Sequence, residues 1–408
     1  MKYRILATPL HRALRTFPVI VVTGPRQSGK TTLLRTLLRG THEYVNLEDP
    51  DTRMRAQEDP RGFLEQHAAP VVFDEIQYVP QLLPYIKTRV DERRKPGQWV
   101  LTGSQHFGLM QSVSESLAGR AAILSLLPFS VSERAGHGKD ARDVHTLMKQ
   151  LRARTHHAAI TTPLAQMMLR GQYPEIASRP SVDRELWCGS YIATYLERDI
   201  RNLTQIGDLN QFGRFLRLCA TRTGQILNCS DFARDLGVSV PTARRWLSLL
   251  ETGYQVFFLY PLYRNIGKRL VKSPKLYFND TALACHLLGL REPRTLLNSP
   301  HFPHLFETFV VVDFWKRFLH FGQLPSLYYL RTRDGLEVDL VLEVDGLLHL
   351  FEIRSSATIT PKHASSVRRA RNDLGDIVSS ANLISRAPES YRLPDKVYSH
   401  TWQEILAR

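Results

Sequence analysis

The chain has 408 residues, of which 43% are hydrophobic and 23% are charged. This length predicts two or three domains with cores of their own, and the composition excludes both a short peptide and a largely disordered chain. The 54 Lys and Arg residues exceed the 39 Asp and Glu residues, which leaves a formal charge of +15. The excess favours a polyanionic partner without separating DNA from RNA or an acidic lipid surface.

The sequence indicates neither a secreted protein nor a membrane protein. The four cysteines are scattered without a C-x-x-C pair, so we expect no disulfide framework and no zinc site. The apolar runs at 17–22 and 256–260 are far shorter than the roughly 18 residues that a spanning helix requires, and they predict buried strands. We therefore expect no membrane segment and a cytoplasmic location.

The order of predicted elements suggests four segments. Amphipathic stretches alternate with four short β-branched runs, at residues 19–22, 71–73, 99–101 and 123–126. This rhythm predicts a parallel α/β sheet. A helical lid or connector is expected next, then three helices with a two-stranded wing, and finally a second region of alternating strands and helices. The predicted boundaries are 1–135, 136–210, 211–290 and 291–408.

A phosphate-binding loop is the most specific motif. The pattern G-x-x-x-x-G-K-[ST] lies between an apolar strand and a helical run, and the predicted ATP-binding residues are Gly24, Pro25, Arg26, Gln27, Ser28, Gly29, Lys30, Thr31 and Thr32. The glycines let backbone N–H groups converge on phosphates, Lys30 reaches the β and γ oxygens, and Thr31 can hold Mg²⁺. ATP and Mg²⁺ are the expected cofactors, and a chance glycine turn is the alternative.

Two adjacent carboxylates follow the strand at 71–73. Asp74 is expected to support Mg²⁺, and Glu75 to orient or deprotonate the water that attacks the γ-phosphate. An acidic helix N-cap is the alternative. After the next strand, Ser104 is predicted to position the water, with Thr102 as second choice. Arg120 is a candidate arginine finger for a neighbouring subunit, or else a surface arginine in a solvated loop.

These motifs resemble the AAA+ ATP-binding proteins of bacteria and archaea. The ATPase part of the resemblance is carried by residues 24–32, 44–50, 73–77, 101–104 and 117–120, and the C-terminal part, of largely uncharacterised function, by 195–200 and 335–354. In AAA+ proteins a polar residue on the second strand can communicate partner binding to the catalytic glutamate, and Asn46 matches it. We expect a homo-oligomer with shared active sites, with a hexamer as one candidate.

A helix-turn-helix is predicted within the third segment. A helix through Leu236 is followed by a turn at 237–239 and a second helix at 241–251. Residues 221–275 contain nine Lys and Arg against three acidic residues. The candidate DNA-binding residues are Arg244, Arg245, Lys268, Arg269 and Lys272, the last three in the wing. A winged helix that packs against protein, with a solvated basic face, is the alternative.

A hairpin in the last segment suggests a second polar site. Runs at 336–344 and 347–353 flank Asp345-Gly346, a type I′ turn signal that sets Asp339 opposite Glu352 and Glu337 opposite Arg354. Opposed side chains are about 5 Å apart, so Asp339 and Glu352 are expected to share a divalent metal. Glu307, on a predicted helix at 305–318, is a candidate third carboxylate.

This set resembles the PD-(D/E)xK restriction-endonuclease-like superfamily, whose pattern has lysine where this chain has Arg354. Arginine can pin a phosphate but cannot replace a compact ammonium that orients water. Metal-dependent cleavage, a degenerate DNA- or protein-binding module and a purely structural fold are the open alternatives. In the last case Arg354 pairs with Glu337 across the strands.

The sequence as a whole predicts the α/β fold class: a P-loop AAA+ ATPase domain with a helical lid, a winged helix-turn-helix and a C-terminal restriction-endonuclease-like α/β domain. The expected function is ATP turnover coupled to remodelling of, or translocation on, DNA, with single-stranded and branched DNA among the candidate substrates. An ATP-regulated metal-dependent nuclease and a nucleotide-gated protein-binding regulator or scaffold are the two rival functions.

Overall fold

A computed structural model describes residues 2–103, 116–151, 160–195, 209–262, 273–332 and 334–408. The chain forms two compact units. The N-terminal unit comprises Met1–Phe129, Thr252–Tyr254 and Leu319–Gln323, and the C-terminal unit comprises Ser130–Glu251, Gln255–Phe318 and Leu324–Arg408. Within the described ranges, no helix combines the length and apolar character that crossing a membrane requires. The division into four domains stays a prediction.

The N-terminal unit is built on a parallel sheet of five strands in the order β2-β3-β4-β1-β5. The strands are β1 (Val19–Thr23), β2 (Glu43–Asn46), β3 (Val71–Asp74), β4 (Trp99–Gly103) and β5 (Ala121–Ser125). Its helices are α1 (Ala7–Thr16), α2 (Lys30–Leu37), α3 (Pro50–Glu58), α4 (Pro60–Gln66) and α5 (Leu82–Glu92). The four strands expected from β-branched runs are all present.

Both faces of this sheet are covered, which explains why β1 is apolar throughout rather than alternating. Val19 and Val21 pack on one face with side chains from α4 and α5. Ile20 and Val22 pack on the other face with side chains from α1 and α2. Because the strands are parallel, the carboxyl ends of β1, β3 and β4 meet at one edge of the sheet, where α/β proteins place their ligand-binding residues.

In its described residues, the C-terminal unit contains two sheets, one of three strands and one of six. Its helices are α6 (Val131–Ala135), α7 (Val144–Lys149), α8 (Leu164–Arg170), α9 (Pro174–Ser178), α10 (Arg184–Tyr195), α11 (Leu209–Thr221), α12 (Cys229–Leu236), α13 (Val240–Thr252), α14 (Thr281–Leu287), α15 (Pro293–Leu297), α16 (Phe302–His320), α17 (Ser365–Leu374) and α18 (Trp402–Leu406). The first sheet has the order β6-β8-β7, with β6 (Gln225–Ile226), β7 (Val256–Leu259) and β8 (Lys275–Phe278).

The second sheet has the order β13-β14-β12-β11-β10-β9. Its strands are β9 (Leu327–Arg331), β10 (Glu337–Val344), β11 (Leu347–Arg354), β12 (Val378–Ser385), β13 (Tyr391–Arg392) and β14 (Val397–Thr401). Leu340 pairs with Phe351 in the β10–β11 hairpin, which is the predicted register. Asp345 and Gly346 both have positive φ, as a type I′ turn requires.

Candidate functional site

The phosphate-binding loop lies between β1 and α2, where the motif predicted it. A Cβ at Gly24 would lie 2.1 Å from the carbonyl oxygen of Leu126, so only glycine fits beside β5. Gly29, with φ of +96°, starts α2 in a backbone conformation that favours glycine. Lys30 Nζ donates to the carbonyl oxygens of Gly24 (2.8 Å) and Pro25 (3.0 Å). The ammonium is thus held within the loop that would cradle phosphates.

Arg4 supports this loop from outside, which the sequence analysis missed. Its guanidinium donates to the carbonyl oxygens of Ser28 (2.7 Å) and Leu127 (2.5 Å), and lies 4.9 Å from the ring centroid of Phe129. These contacts tie the loop to the segment after β5. No motif signals this role, since Arg4 precedes the first predicted strand.

Asp74, at the end of β3, is held by hydroxyl groups from three elements. Thr31 donates to Oδ2 across 2.9 Å, Tyr44 donates to the same oxygen, and Thr102 donates to Oδ1. The central position of β4 between β3 and β1 brings Thr102 to this point. Mg²⁺ binds oxygen ligands, and hydroxyl and carboxylate oxygens are of this kind. Thr31 and Asp74 therefore fit the metal-binding role predicted for them.

Tyr44 is a further contributor that the sequence analysis did not assign. It lies on β2, the edge strand, and the guanidinium of Arg35 stacks 4.2 Å from its ring centroid. Burial and the hydrogen bond to Asp74 raise the pKa of the Tyr44 phenol well above its usual range. The phenol therefore remains a hydrogen-bond donor to Asp74.

Glu75 follows Asp74 in a left-handed backbone conformation, with φ of +61°. Its backbone N–H donates to Thr102 Oγ1 across 3.0 Å, and the Gln77 amide donates to its carboxylate. Thr102 thus contacts both motif carboxylate residues.

Ser104, the first choice for positioning water, lies outside the described residues. The carboxamide oxygen of Asn46 accepts from the backbone N–H of Glu48 at 3.0 Å.

Arg120 lies at the amino-terminal ends of the strands, whereas the phosphate-binding loop of its own chain lies at their carboxyl ends. It precedes β5, whose first residue pairs with Val19, whereas the loop follows Thr23. The two edges are separated by about 13 Å of strand at roughly 3.3 Å per residue. The guanidinium forms a fork with Asp91 (2.6 and 2.9 Å) and lowers the pKa of that carboxyl. Any role at a γ-phosphate would therefore involve another subunit.

Of the predicted DNA-binding residues, Arg244 and Arg245 are described, and both are exposed on α13. The opposite face of α13 buries Ala243, Trp246, Leu247 and Leu250. Helix α12 ends at Leu236, and Gly237, with φ of +67°, caps it and begins the tight turn before α13. The wing residues Lys268, Arg269 and Lys272 lie outside the described residues.

Three of the residues predicted for the nuclease-like site belong to one acidic cluster, which we define as Glu307, Glu337, Asp339 and Glu352. Lys275 of β8 points into it, and the sequence analysis missed this residue. Lys275 Nζ lies 2.7 Å from Glu337, 3.1 Å from Glu307 and 3.7 Å from Asp339. Within the ranges that the structure describes, no group of three or more Asp, Glu, His or Cys residues is arranged to hold a metal ion.

The predicted pairing of Arg354 with Glu337 is wrong. Arg354 donates instead to Glu352, two residues earlier on β11, whereas Glu337 contacts Lys275 and, at 3.5 Å, Arg331. The ammonium of Lys275 lies 2.7 Å from Glu337 and is buried, so solvent screens its charge less than that of the half-exposed Arg354 guanidinium. Burial raises the pKa of Glu307 to about 7, and burial with the charge of Asp339 raises the pKa of Glu352.

Known domain families cover most of the chain. An AAA domain matches residues 16–135. Two domains of unknown function match residues 161–294 (DUF8612) and 302–403 (DUF4143). The phosphate-binding loop, Asp74 and Glu75 thus lie in an AAA-type P-loop ATPase domain. Helix α13 and the acidic cluster lie in segments whose families have no functional description.

Two mycobacterial proteins are similar over nearly the whole length. Uncharacterized protein Rv2008c of Mycobacterium tuberculosis and uncharacterized protein Mb2031c of Mycobacterium bovis are each 33% identical over 407 residues, which is 99% of this chain and 84% of theirs.

Two solved structures show a weaker likeness. A Walker-type ATPase of Pyrococcus abyssi is 15% identical, with 69% of this chain and 94% of that chain covered and a TM-score of 0.44. A RuvB protein of Thermotoga maritima is 16% identical, with 62% and 88% covered and a TM-score of 0.30.

Proposed function

The chain belongs to the same family as its two mycobacterial relatives and carries an AAA domain at residues 16–135, and from that premise we propose that it is a Mg²⁺-dependent ATPase whose turnover is coupled to DNA. The observation that carries the ATPase part is the 2.9 Å hydrogen bond from Thr31 to Asp74, which joins the two halves of the nucleotide motif. Mg²⁺ held by these residues would neutralise charge on the β- and γ-phosphate oxygens.

The remaining residues of the site have separable roles in this proposal. Lys30 would exchange its bonds to the carbonyls of Gly24 and Pro25 for phosphate oxygens, which are stronger acceptors because they are charged. Glu75 orients the attacking water and accepts its proton. Thr102, which contacts Asp74 and the backbone of Glu75, holds these two residues in fixed positions relative to each other.

The DNA part of the proposal is supported by the exposed arginines of α13. Arg244 and Arg245 lie on the face opposite a fully buried stripe, so both guanidinium groups are available to a polyanion. We interpret α11, α12, α13 and the β7–β8 pair as a winged helix, with α13 as the helix that contacts phosphates. Such contacts release counterions, so binding should weaken steeply as salt increases.

A homo-oligomer completes the proposal. Because Arg120 lies at the sheet edge away from its own loop, it can reach a γ-phosphate only from a neighbouring subunit. It would have to exchange Asp91 for that phosphate. An arginine finger of this kind contributes about 10³-fold or more to hydrolysis.

The testing experiment measures steady-state ATP hydrolysis by the wild type and Lys30→Ala. Each is assayed without nucleic acid and with single-stranded, duplex and branched DNA, at two salt concentrations. We expect stimulation by one DNA form that high salt weakens and Lys30→Ala abolishes. The double variant Arg244→Ala/Arg245→Ala should lose stimulation but keep basal hydrolysis. Arg12→Ala/Arg15→Ala removes two exposed charges from α1 and serves as the matched control.

The possible outcomes separate the rival functions. Hydrolysis that no DNA form changes, without salt-dependent DNA binding, contradicts the DNA part and favours a nucleotide-gated regulator that binds protein. Mg²⁺- or Mn²⁺-dependent cutting that Asp339→Ala and Glu352→Ala abolish favours an ATP-regulated nuclease. Absence of hydrolysis under all conditions contradicts the ATPase part.

A further inference from the structure

The acidic cluster of the C-terminal unit surrounds the ammonium group of Lys275. Nζ lies within 3.7 Å of carboxylates from α16 and β10, namely Glu307, Glu337 and Asp339. Its side chain is only 3% exposed, and the ring of Tyr329 lies 5.6 Å from Nζ. The ammonium therefore lies where a cation shared by these carboxylates would be placed.

Several oxygens of the cluster also have protein donors. The Tyr277 hydroxyl donates to Glu307 Oε1 across 2.6 Å, and the backbone N–H of Ile353 donates to Asp339 Oδ2 across 2.9 Å. Arg354 donates to Glu352 Oε1. A divalent ion needs direct oxygen contacts at about 2.0–2.6 Å, and it would be repelled by an ammonium a few ångströms away. Lys275 and such an ion therefore compete for the same place.

One oxygen shows that the cluster has further capacity for a cation. Glu352 Oε2 is buried and has no hydrogen-bond partner, and Glu352 is 2% exposed. A buried carboxylate oxygen without a donor is costly, and it is expected where a carboxylate is placed to bind an ion. When ionised, the four carboxylates carry four negative charges, and the basic residues in contact with them, Lys275, Arg331 and Arg354, carry three positive charges.

We propose that Lys275 is the resident cation of this cluster, in place of a divalent metal, and that its removal opens a divalent-cation site formed by Glu307, Asp339 and Glu352. The proposal is independent of ATP hydrolysis, because all residues involved belong to the C-terminal unit.

Binding of Mn²⁺ to the full-length chain without nucleotide tests the proposal, with electron paramagnetic resonance to count bound ions. We expect Lys275→Ala to bind one Mn²⁺ per chain, at least about tenfold more tightly than the wild type. The double variant Lys275→Ala/Asp339→Asn should lose this gain. Lys362→Ala, which removes an exposed lysine elsewhere in the same unit, should behave as the wild type.

A second variant protects the test against misfolding. Lys275→Gln keeps most of the side-chain volume without the charge, and thermal unfolding with and without Mn²⁺ shows whether metal restores stability. We expect Mn²⁺ to raise the midpoint of Lys275→Gln and leave that of the wild type unchanged. Three results would overturn the proposal. One is Mn²⁺ binding by the wild type that Asp339→Asn abolishes, and another is a folded Lys275 variant that binds no Mn²⁺. The third is that both Lys275 variants are unfolded and Mn²⁺ does not restore a thermal unfolding transition.

Discussion

The two polar sites of the molecule use the same residue types in opposite ways. At the ATP site, Asp74 accepts hydrogen bonds from the hydroxyls of Thr31, Tyr44 and Thr102. At the acidic cluster, the carboxylates face the ammonium of Lys275. A hydroxyl is neutral and can donate to a carboxylate that also faces a metal ion. An ammonium neutralises the carboxylates itself and excludes a second cation.

The energies explain why this difference is decisive. A hydrogen bond from a neutral hydroxyl to a carboxylate contributes about 1.5–3 kcal/mol net, and the carboxylate keeps its negative charge for Mg²⁺. Loss of one partner of a buried ion pair costs about 3–5 kcal/mol, because it leaves the other charge buried without compensation. A carboxylate with neutral donors is therefore available to a ligand, whereas one paired with a buried cation mainly supports the fold.

The largest expected effect separates catalysis from binding at the ATP site. Glu75→Gln should lower the rate of ATP hydrolysis by about 10²–10⁴-fold, because the amide cannot accept a proton from water. Binding of a fluorescent ATP analogue should remain close to that of the wild type. Glu92→Gln, an exposed residue of α5, is the matched control. Equal losses of binding and hydrolysis would show that Glu75 acts in binding.

The next prediction compares the two lysines directly. Lys275→Met should lower the free energy of unfolding by about 3–5 kcal/mol, because it leaves buried carboxylates without their cation. Lys30→Met should cost about 1–2 kcal/mol, since it removes hydrogen bonds to carbonyl groups, yet it should abolish ATP binding. Denaturant unfolding and nucleotide binding measure both quantities. Equal losses of stability would contradict the contrast between the two sites.

Asp313 offers an intermediate case, a buried carboxylate whose cation is not in close contact. Val131 N–H donates to Oδ1 across 2.6 Å, Arg317 lies 4.0 Å from Oδ2, and burial raises the Asp313 pKa from 3.8 to about 6. The folded state thus binds this proton more tightly than the unfolded state does. The stabilisation that protonated Asp313 contributes is therefore complete below about pH 4 and is lost as the pH rises through 6.

Asp313→Asn mimics the protonated form, and it should therefore stabilise the protein at neutral pH by up to about 3 kcal/mol. The gain should vanish below about pH 4. Denaturant unfolding across this pH range measures the effect. A variant that is less stable than the wild type at neutral pH would show that the Arg317 charge outweighs the cost of burial.

The smallest effect concerns the Tyr44 phenol. Because Tyr44 donates to Asp74 Oδ2, a Mg²⁺-bound water has to compete for that oxygen. Tyr44→Phe should lower the Mg²⁺ concentration for half-maximal hydrolysis several-fold, because the phenol no longer competes for the Asp74 carboxylate. Tyr85→Phe, on α5, is the control. A higher Mg²⁺ requirement would mean that the phenol orients Asp74 for the metal.

Local patterns allowed much of the fold to be predicted. The loop from Gly24 to Thr31 and the hairpin turn at Asp345-Gly346 are specified by short runs whose backbone conformations only certain residues adopt. The strands of the first sheet follow from continuous β-branched runs. Strand β6 has two residues, too few for a periodic signal, and was not predicted.

The sequence by itself determined the phosphate-binding loop, the adjacent carboxylates Asp74 and Glu75, and the register of β10 against β11, because each depends on neighbours along the chain. Only the tertiary structure decided which distant groups meet these residues. Tyr44 reaches Asp74 across the β2–β3 pair, and Lys275 of the three-stranded sheet reaches Glu337 and Asp339 of the six-stranded sheet. Long-range contacts of this kind depend on how the helices and strands pack. A local sequence pattern therefore cannot predict which cation contacts a buried carboxylate.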